Sequence, residues 1–453
     1  MEVRQPNRLG YWFFTLVVAA GYLVLCVHLA GHLAHQVRAA KQSAGIQSDL
    51  FPRWYGTHQL LLHHVDPYSS AVTAAIAHMD ALPTEHFATN FYAFAYPLYL
   101  SIVISPLALL PFSIALILYT VLSFLVLAGA LFLVVRQLVP SLDRWAAGLV
   151  AASALFVLPV YSCLSLQQPS LIVLDVMLVA TYLILKHWYN WAGVVSSVAL
   201  VKPQLAIPFV LFVVVWSLSS RERRGLFYGL VAGVLLLEAS SQLLLPGWER
   251  SFIEAARTYS GINGNEPGLW LVSGNRMVAV TLGLVVIAVM FATWAQALWH
   301  SNSVQALVGA IGATTLMMLL VFPRPAGNYY DGMFVILPVL AIIGSVQRYA
   351  SHARMMVYAA LALLIFWPIV SDVGPARTAV FLHAIMSLYA GTLGFYLQSR
   401  METASQFYTV GIAPILLIGF FALVIRQRFA RPDPLLAESQ GAPTLFPASI
   451  NDR

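Results

Sequence analysis

Asp49 and Lys202 occupy positions that a structural role alone explains poorly. Asp49 follows Ser48 at the head of the run Leu50-Phe51-Pro52-Arg53-Trp54-Tyr55-Gly56-Thr57-His58-Gln59-Leu60-Leu61-Leu62. Leu50, Phe51, Trp54, Tyr55, His58, Leu61 and Leu62 share one face at helical spacing, which predicts a helix lying in the plane of a membrane interface with its aromatics at headgroup level. A carboxylate at its start either caps the helix or is held at the membrane surface as a general base. Lys202 lies in Lys202-Pro203-Gln204, which interrupts an apolar run about twelve residues after it begins. At 1.5 Å per residue that first piece is too short to cross a bilayer. A lysine there either snorkels from a span end or faces a cavity lined by a broken helix. Asp66 precedes Pro67 in a turn, Asp80 and Glu85 lie in a polar stretch, and Asp175 falls inside an apolar segment, where an ionisable residue is paired or functional. His58, His63 and His64, like His28, His32 and His35, lack the Glu or Cys that accompanies a catalytic zinc site, so no metal is expected.

The elements that must hold these residues are membrane helices. Charged residues make up 9% of 453 and the AVILMFWYC set 60%, against roughly 25% charged in an average soluble protein. That balance excludes a soluble enzyme, a nucleic-acid binder and a disordered scaffold; the net charge of +6 is the Lys/Arg bias that orients a membrane chain. At about 20 apolar residues per span the chain has room for eleven to fourteen membrane segments. Apolar segments fall at 9–30, 95–111, 113–136, 143–161, 168–186, 190–201, 203–219, 225–245, 275–299, 304–322, 332–347, 354–370, 377–397 and 407–425, with no internal repeat. Polar stretches at 38–94 and 246–274 are too long for bundle turns. The fold class expected is all-α, a polytopic transmembrane bundle forming one domain over 1–430, with two large extracytoplasmic loops at 38–94 and 246–274 and a disordered tail at 431–453. Arg4 and Arg8 before the first segment, and the clusters Arg136/Arg144, Arg221/Arg223/Arg224 and Arg348/Arg354, are expected on the cytoplasmic side. Strict alternation through fourteen segments cannot put both long loops on the other side, so some short segments are expected to be half-helices, 190–219 foremost. Cys26 and Cys163 lie in apolar runs without metal-type spacing.

The succession Asp49, Asp66-Pro67-Tyr68, Tyr96-Pro97 with Pro106 and Pro111, Gln168, and Gly193 to Lys202-Pro203 resembles glycosyltransferase family 87 in order and spacing. The resemblance covers about 45–245 and continues more weakly to about 340. It implies a GT-C-type integral membrane enzyme of the inner membrane, a polyprenyl-phosphate sugar donor (mannose by default, arabinofuranose or another sugar equally open), and an active site on the extracytoplasmic face. It also implies an aspartate near the start of the first loop as base, the position Asp49 matches. Two departures stand out. Relatives often carry Gly-Gln where this chain has Gln167-Gln168, so Gln168 alone carries over as a substrate-binding residue. Many carry a His where this chain reads Ala326-Gly327-Asn328-Tyr329-Tyr330-Asp331, leaving Asn328 or Asp331 to stand in its place.

A sugar on a lipid phosphate is already activated, and the sequence has no G-x-G-x-x-G, no P-loop and no Asp-x-Asp pair. The tasks left are to deprotonate an acceptor hydroxyl and to neutralise the departing phosphate. Lys202 with Arg53, Arg276 or Arg324 would do the second, while Trp54, Tyr55, Tyr68 and Tyr92 could stack on sugar rings. No cofactor is expected. The partners are the lipid-linked donor, a glycolipid, polysaccharide or protein acceptor, and membrane lipid. A lipid-linked-sugar flippase and a non-catalytic assembly subunit are the alternative readings.

Overall fold

A computed structural model of the chain describes residues 8–42, 46, 48–79, 94–154, 158–263, 266–269, 275–300, 303–324, 329–346, 416 and 419. Tyr92, Asn328, the apolar segments at 354–370 and 377–397 and the tail from 431 lie outside the described residues; of 407–425 only Leu416 and Gly419 fall inside.

The chain is an all-α polytopic helix bundle. Helix α1 runs Arg8–Gln42, further than its apolar segment, because Ala34, Ala39, Ala40, Lys41 and Gln42 are strong helix formers with no glycine or proline among them. Helices α2 (Leu50–His63) and α3 (Ser70–Met79) form the first polar stretch. The turn between them is set by Asp66, whose Oδ1 accepts the Tyr68 amide at 2.8 Å. Pro97 and Pro111 bound the short α4, Tyr99–Ala108. Then follow α5 (Phe112–Leu138), α6 (Arg144–Ala154), α7 (Leu158–Leu166) and α8 (Ser170–Leu185). Helix α9, Tyr189–Val198, tightens into a 3-10 turn at Ala199–Val201 and ends there. Pro203 then starts α10 (Pro203–Leu218) at its first position, where its missing N–H costs nothing. Helix α11 is Arg224–Leu244 and α12 is Trp248–Asn263. Last come α13 (Arg276–Trp299), α14 (Val304–Val321), a 3-10 segment at Tyr329–Val335 and α15 (Ile336–Val346). Two dipeptide strands, Glu266–Pro267 and Pro323–Arg324, pair antiparallel.

Among the described residues four helical stretches are long and apolar enough to cross a membrane: Phe112–Leu138, Arg221–Leu244, Arg276–Trp299 and Val304–Val321. The lipid-facing surface is visible on α5, where Leu118, Leu122 and Leu125 are exposed while Leu116, Leu127 and Leu131 are buried. Helix α14 is buried nearly all round, as Ala310, Ile311, Leu316, Met318 and Leu320 show, and packs on α13 and α15. Helices α9 and α11 make the most extensive pair. A Cβ at Gly193 would collide with the main chain of Leu226 and Leu230, and one at Gly229 with that of Asn190. These glycines let the backbones touch, the usual route to tight association where lipid removes the hydrophobic drive between helices.

The first loop differs from expectation in one respect. The aromatic face of α2 is covered by protein rather than laid on headgroups. Trp54 and Phe51 pack on Phe112, Trp54 Nε1 donates to the Leu107 carbonyl at 3.1 Å, and Thr57 and Ser101 hydroxyls lie 2.9 Å apart. The second polar stretch holds α12, whose Trp248 and Phe252 close over Leu60, Leu98, Tyr68 and Tyr99. Thus α2, the start of α4 and α12 meet in one small apolar cluster.

Candidate active site

The turn between α7 and α8 brings the candidate residues together. Gln167 takes φ +52, a left-handed conformation that costs a non-glycine residue roughly 1–2 kcal/mol. Its buried side chain compensates, Nε2 donating to the carbonyls of Leu164 at 3.0 Å and Ser165 at 2.7 Å. The turn is closed by the Gln168 amide returning to the Cys163 carbonyl at 2.9 Å. In this chain the left-handed shape, which a glycine adopts freely, is reached instead with the help of side-chain hydrogen bonds.

Gln168 is held from behind by the Tyr119 hydroxyl, which donates to its carbonyl at 2.8 Å. Forward, Gln168 Nε2 donates to Asp49 Oδ2, and the Asp49 amide donates to the Leu166 carbonyl at 2.9 Å. Asp49 stands at the N-cap position of α2 yet its side chain makes no capping bond; Ser48 Oγ accepts from the Leu50 amide at 3.3 Å instead. The capping explanation of Asp49 therefore does not hold, since its carboxylate is turned across to Gln168. Burial pushes this carboxyl above the ordinary aspartate range, while the Arg53 guanidinium, the Gln168 amide and the Lys202 ammonium pull it back down. Arg53, one helical turn along α2 and buried, lies with its guanidinium 4.8 Å from the centre of the Tyr96 ring.

Two residues after Gln168, Ser170 begins α8. Its hydroxyl accepts from Lys202 Nζ at 2.5 Å and donates to Asp331 Oδ1 at 3.0 Å, and Lys202 and Asp331 are themselves 3.4 Å apart. Lys202 is 4% and Asp331 2% exposed. The snorkelling explanation of Lys202 fails on that burial: the ammonium points into the protein from the helix break. Asp49 and Arg53 from the start of α2, Gln168 from the α7–α8 turn, Lys202 from the helix break and Asp331 from the 3-10 segment thus come from four places in the fold to one locality.

Other expected residues lie elsewhere or are engaged otherwise. Arg276 is exposed at the start of α13 and lines a different cavity, with Pro267, Leu269 and Gly283. Arg324 lies in the second strand by its backbone. Trp54 stacks on His58 and spends its N–H on α4. Tyr68 donates its hydroxyl to the Tyr96 carbonyl at 2.8 Å and meets Phe94 edge-on. Among the described residues no group of three or more His, Cys, Asp or Glu is placed to hold a metal.

Three participants have roles that a reading of the sequence alone does not assign. Ser170 is one serine among many until Lys202 is placed beside it. Tyr96 carries the Arg53 guanidinium. Tyr259 of α12 feels the site's field: burial raises its phenol, and the charges of Arg53, Asp49 and Lys202 act on it. The Gln167-Gln168 departure was the one available signal that this turn is special.

No curated protein matches the chain. The model of glycosyltransferase family 87 matches residues 94–323, a stretch that includes Tyr96, Gln168, Ser170 and Lys202 and ends before Asp331. With 230 of 453 residues matched, the chain belongs to glycosyltransferase family 87.

Proposed function

We propose that the protein is an inverting glycosyltransferase of GT-C type that moves a sugar from a polyprenyl-phosphate donor to an acceptor hydroxyl on the extracytoplasmic side of the inner membrane. The observation that carries this reading is the Asp49 carboxylate, freed from capping, oriented by Gln168 and set beside the cations Arg53 and Lys202. In the step proposed, Asp49 takes the proton of the acceptor hydroxyl and the acceptor oxygen attacks the anomeric carbon from the face opposite the phosphate. The bond from that carbon to the phosphate oxygen breaks, and its electron pair leaves with the polyprenyl phosphate. Arg53 and Lys202 meet the charge that develops on the leaving group, in surroundings where water screens little. A carboxylate raised towards neutral pH is a better base than an ordinary one, provided it stays ionised at the working pH. Tyr96 holds the Arg53 guanidinium in place, and Gln168 fixes which Asp49 oxygen faces the acceptor. Asp331 balances Lys202 and stands in for the histidine of relatives.

The test is to incubate the purified protein with a panel of synthetic polyprenyl-phosphate sugars and a lipid acceptor, following release of polyprenyl phosphate. One sugar of the panel is expected to be consumed. Asp49→Asn, similar in shape and unable to take the proton, is expected to lose at least about 100-fold in rate with normal expression. Full activity of that variant would overturn the assignment of the base.

A further inference from the structure

A groove of about 500 Å³ lies along α13 where that helix meets the end of α14. Arg276, Val280, Gly283 and Ile287 line it from α13, a single stripe at helical spacing, and Leu320 and Val321 line it from α14. From Arg276 to Ile287 the stripe runs about 16 Å along the helix axis. Val280 and Leu284 on its rim are 54% and 63% exposed, so in a bilayer the groove opens sideways to lipid. Its volume is that of sites holding a whole organic molecule. Gly283 leaves its floor open: a Cβ there would meet nothing nearer than methyl carbons of Leu269 and Val321 at 3.9 Å.

One end of the groove is charged. Arg276 is the first residue of a stretch long and apolar enough to cross a membrane, which sets it at the boundary between lipid and water. It is the one charged residue in the lining, it is exposed, and among the described residues it enters no ion pair. A cation at the boundary, above an apolar channel directed into the bilayer, complements an amphiphile with an anionic head and a long chain. Arginine suits a phosphate head in particular, because its planar fork meets two phosphate oxygens at once.

The groove lies at the same end of the bundle as the candidate active site without being part of it. Pro267, which lines it, sits in the strand that pairs with Pro323–Arg324, and the chain runs on from that second strand to the 3-10 segment carrying Asp331. Asp49, Arg53 and Lys202 are absent from its lining, so a phosphate reacting at those cations and a phosphate at Arg276 occupy two positions. The lipid before and after transfer differs in charge. A polyprenyl-phosphate sugar is a phosphodiester with a single negative charge, whereas polyprenyl phosphate is a monoester carrying about −1.5 to −2 at neutral pH. A cation outside the reaction centre attracts the more highly charged of the two more strongly.

We propose, on the glycosyltransferase reading above, that this groove holds the released polyprenyl phosphate, with its phosphate at Arg276 and its chain along the stripe to Ile287, as the position the lipid product takes on leaving Asp49 and Lys202. The test uses the full-length protein in detergent and polyprenyl phosphate bearing a diazirine in its chain; after illumination the labelled peptides are mapped by mass spectrometry. Label is expected on the groove-facing residues of α13 and α14. Arg276→Gln, at an exposed position, is expected to reduce it about fivefold or more, and Gly283→Leu, whose side chain would occupy the groove, to reduce it likewise. The smaller Gly283→Ala reads the same effect in weaker form should the leucine variant fail to fold. The methyl ester of the probe, a diester like the donor, is expected to label the groove less than the monoester, and excess phosphatidylglycerol to leave the labelling unchanged. Equal labelling by the methyl ester would overturn the assignment to the product, and displacement by phosphatidylglycerol the assignment to a polyprenyl lipid. Label found only outside the groove, or unaltered in Arg276→Gln and in both Gly283 variants, would overturn the site. Labelling needs no turnover, so it reads the groove whether or not the transfer assay succeeds.

Discussion

Gln167 shows how a single residue is made to fit. A Gln167→Ala variant keeps the left-handed strain and loses two buried hydrogen bonds, so a loss of about 1–3 kcal/mol is expected. Gln167→Gly loses the same bonds but also relieves the strain, and its loss should be the smaller of the two; unfolding of the two variants in detergent ranks them. The Lys202–Asp331 pair has a sharper signature. Neutralising one partner leaves the other charge buried alone, a cost of about 3–5 kcal/mol, whereas replacing both by apolar residues restores most of it. Lys202→Met and Asp331→Leu are therefore each expected to be far less stable than the double variant, which a thermal double-mutant cycle measures. Asp49 makes a pH prediction. Its carboxyl lies above the ordinary aspartate value of about 3.9, so the acid limb of kcat/KM is expected above that value. The folded chain binds this proton more tightly than the unfolded chain does. The associated stability is thus fully present below the unfolded pKa and is lost as pH rises through the folded one. Asp49→Asn should flatten that decline, as unfolding midpoints across a pH series would reveal.

At the scale of the element, Pro203 after a short apolar run announced the helix break, and the break is there. The apolar, aromatic face of α2 was equally visible in its spacing, but what covers it was not. Periodicity reports that a face is apolar; it is silent on whether lipid or α4 and Phe112 will lie against it. The extension of α1 to Gln42 was missed because hydropathy marks where lipid ends, while helix propensity decides where the helix does. Gly193 stood out in the sequence, yet its purpose emerges only with α11 beside it. Gly229→Ile, forcing a branched side chain into the Asn190 main chain, is expected to cost about 2–3 kcal/mol or more, seen as a lowered unfolding midpoint. Gly309, with open space around it, should accept alanine without such a loss.

For the whole molecule, composition alone established a membrane protein, because 9% charge over 453 residues leaves no soluble alternative. The joining of distant parts was beyond it. Asp49 and Gln168 are 119 positions apart, and Ser170 and Asp331 161; pairings at that range follow from packing, which a single sequence does not display. Arg276 illustrates the cost. Its place before an apolar segment matched that of a phosphate ligand as well as Arg53 did, and only the fold separates them.

The Gln168-Pro169-Ser170 tripeptide is the shortest path between the two halves of the site, touching Asp49 at one end and Lys202 with Asp331 at the other. It works as a covalent ruler. The gap between the Asp49 carboxylate and the Lys202 ammonium is set mainly by two peptide bonds and a proline ring, which flex little, rather than by the soft compliance of neighbouring helices. In the mechanism proposed, helices can therefore breathe to admit the lipid-linked donor while that gap stays nearly constant, and lengthening the tripeptide by one residue would put the two charges out of step without unfolding the bundle.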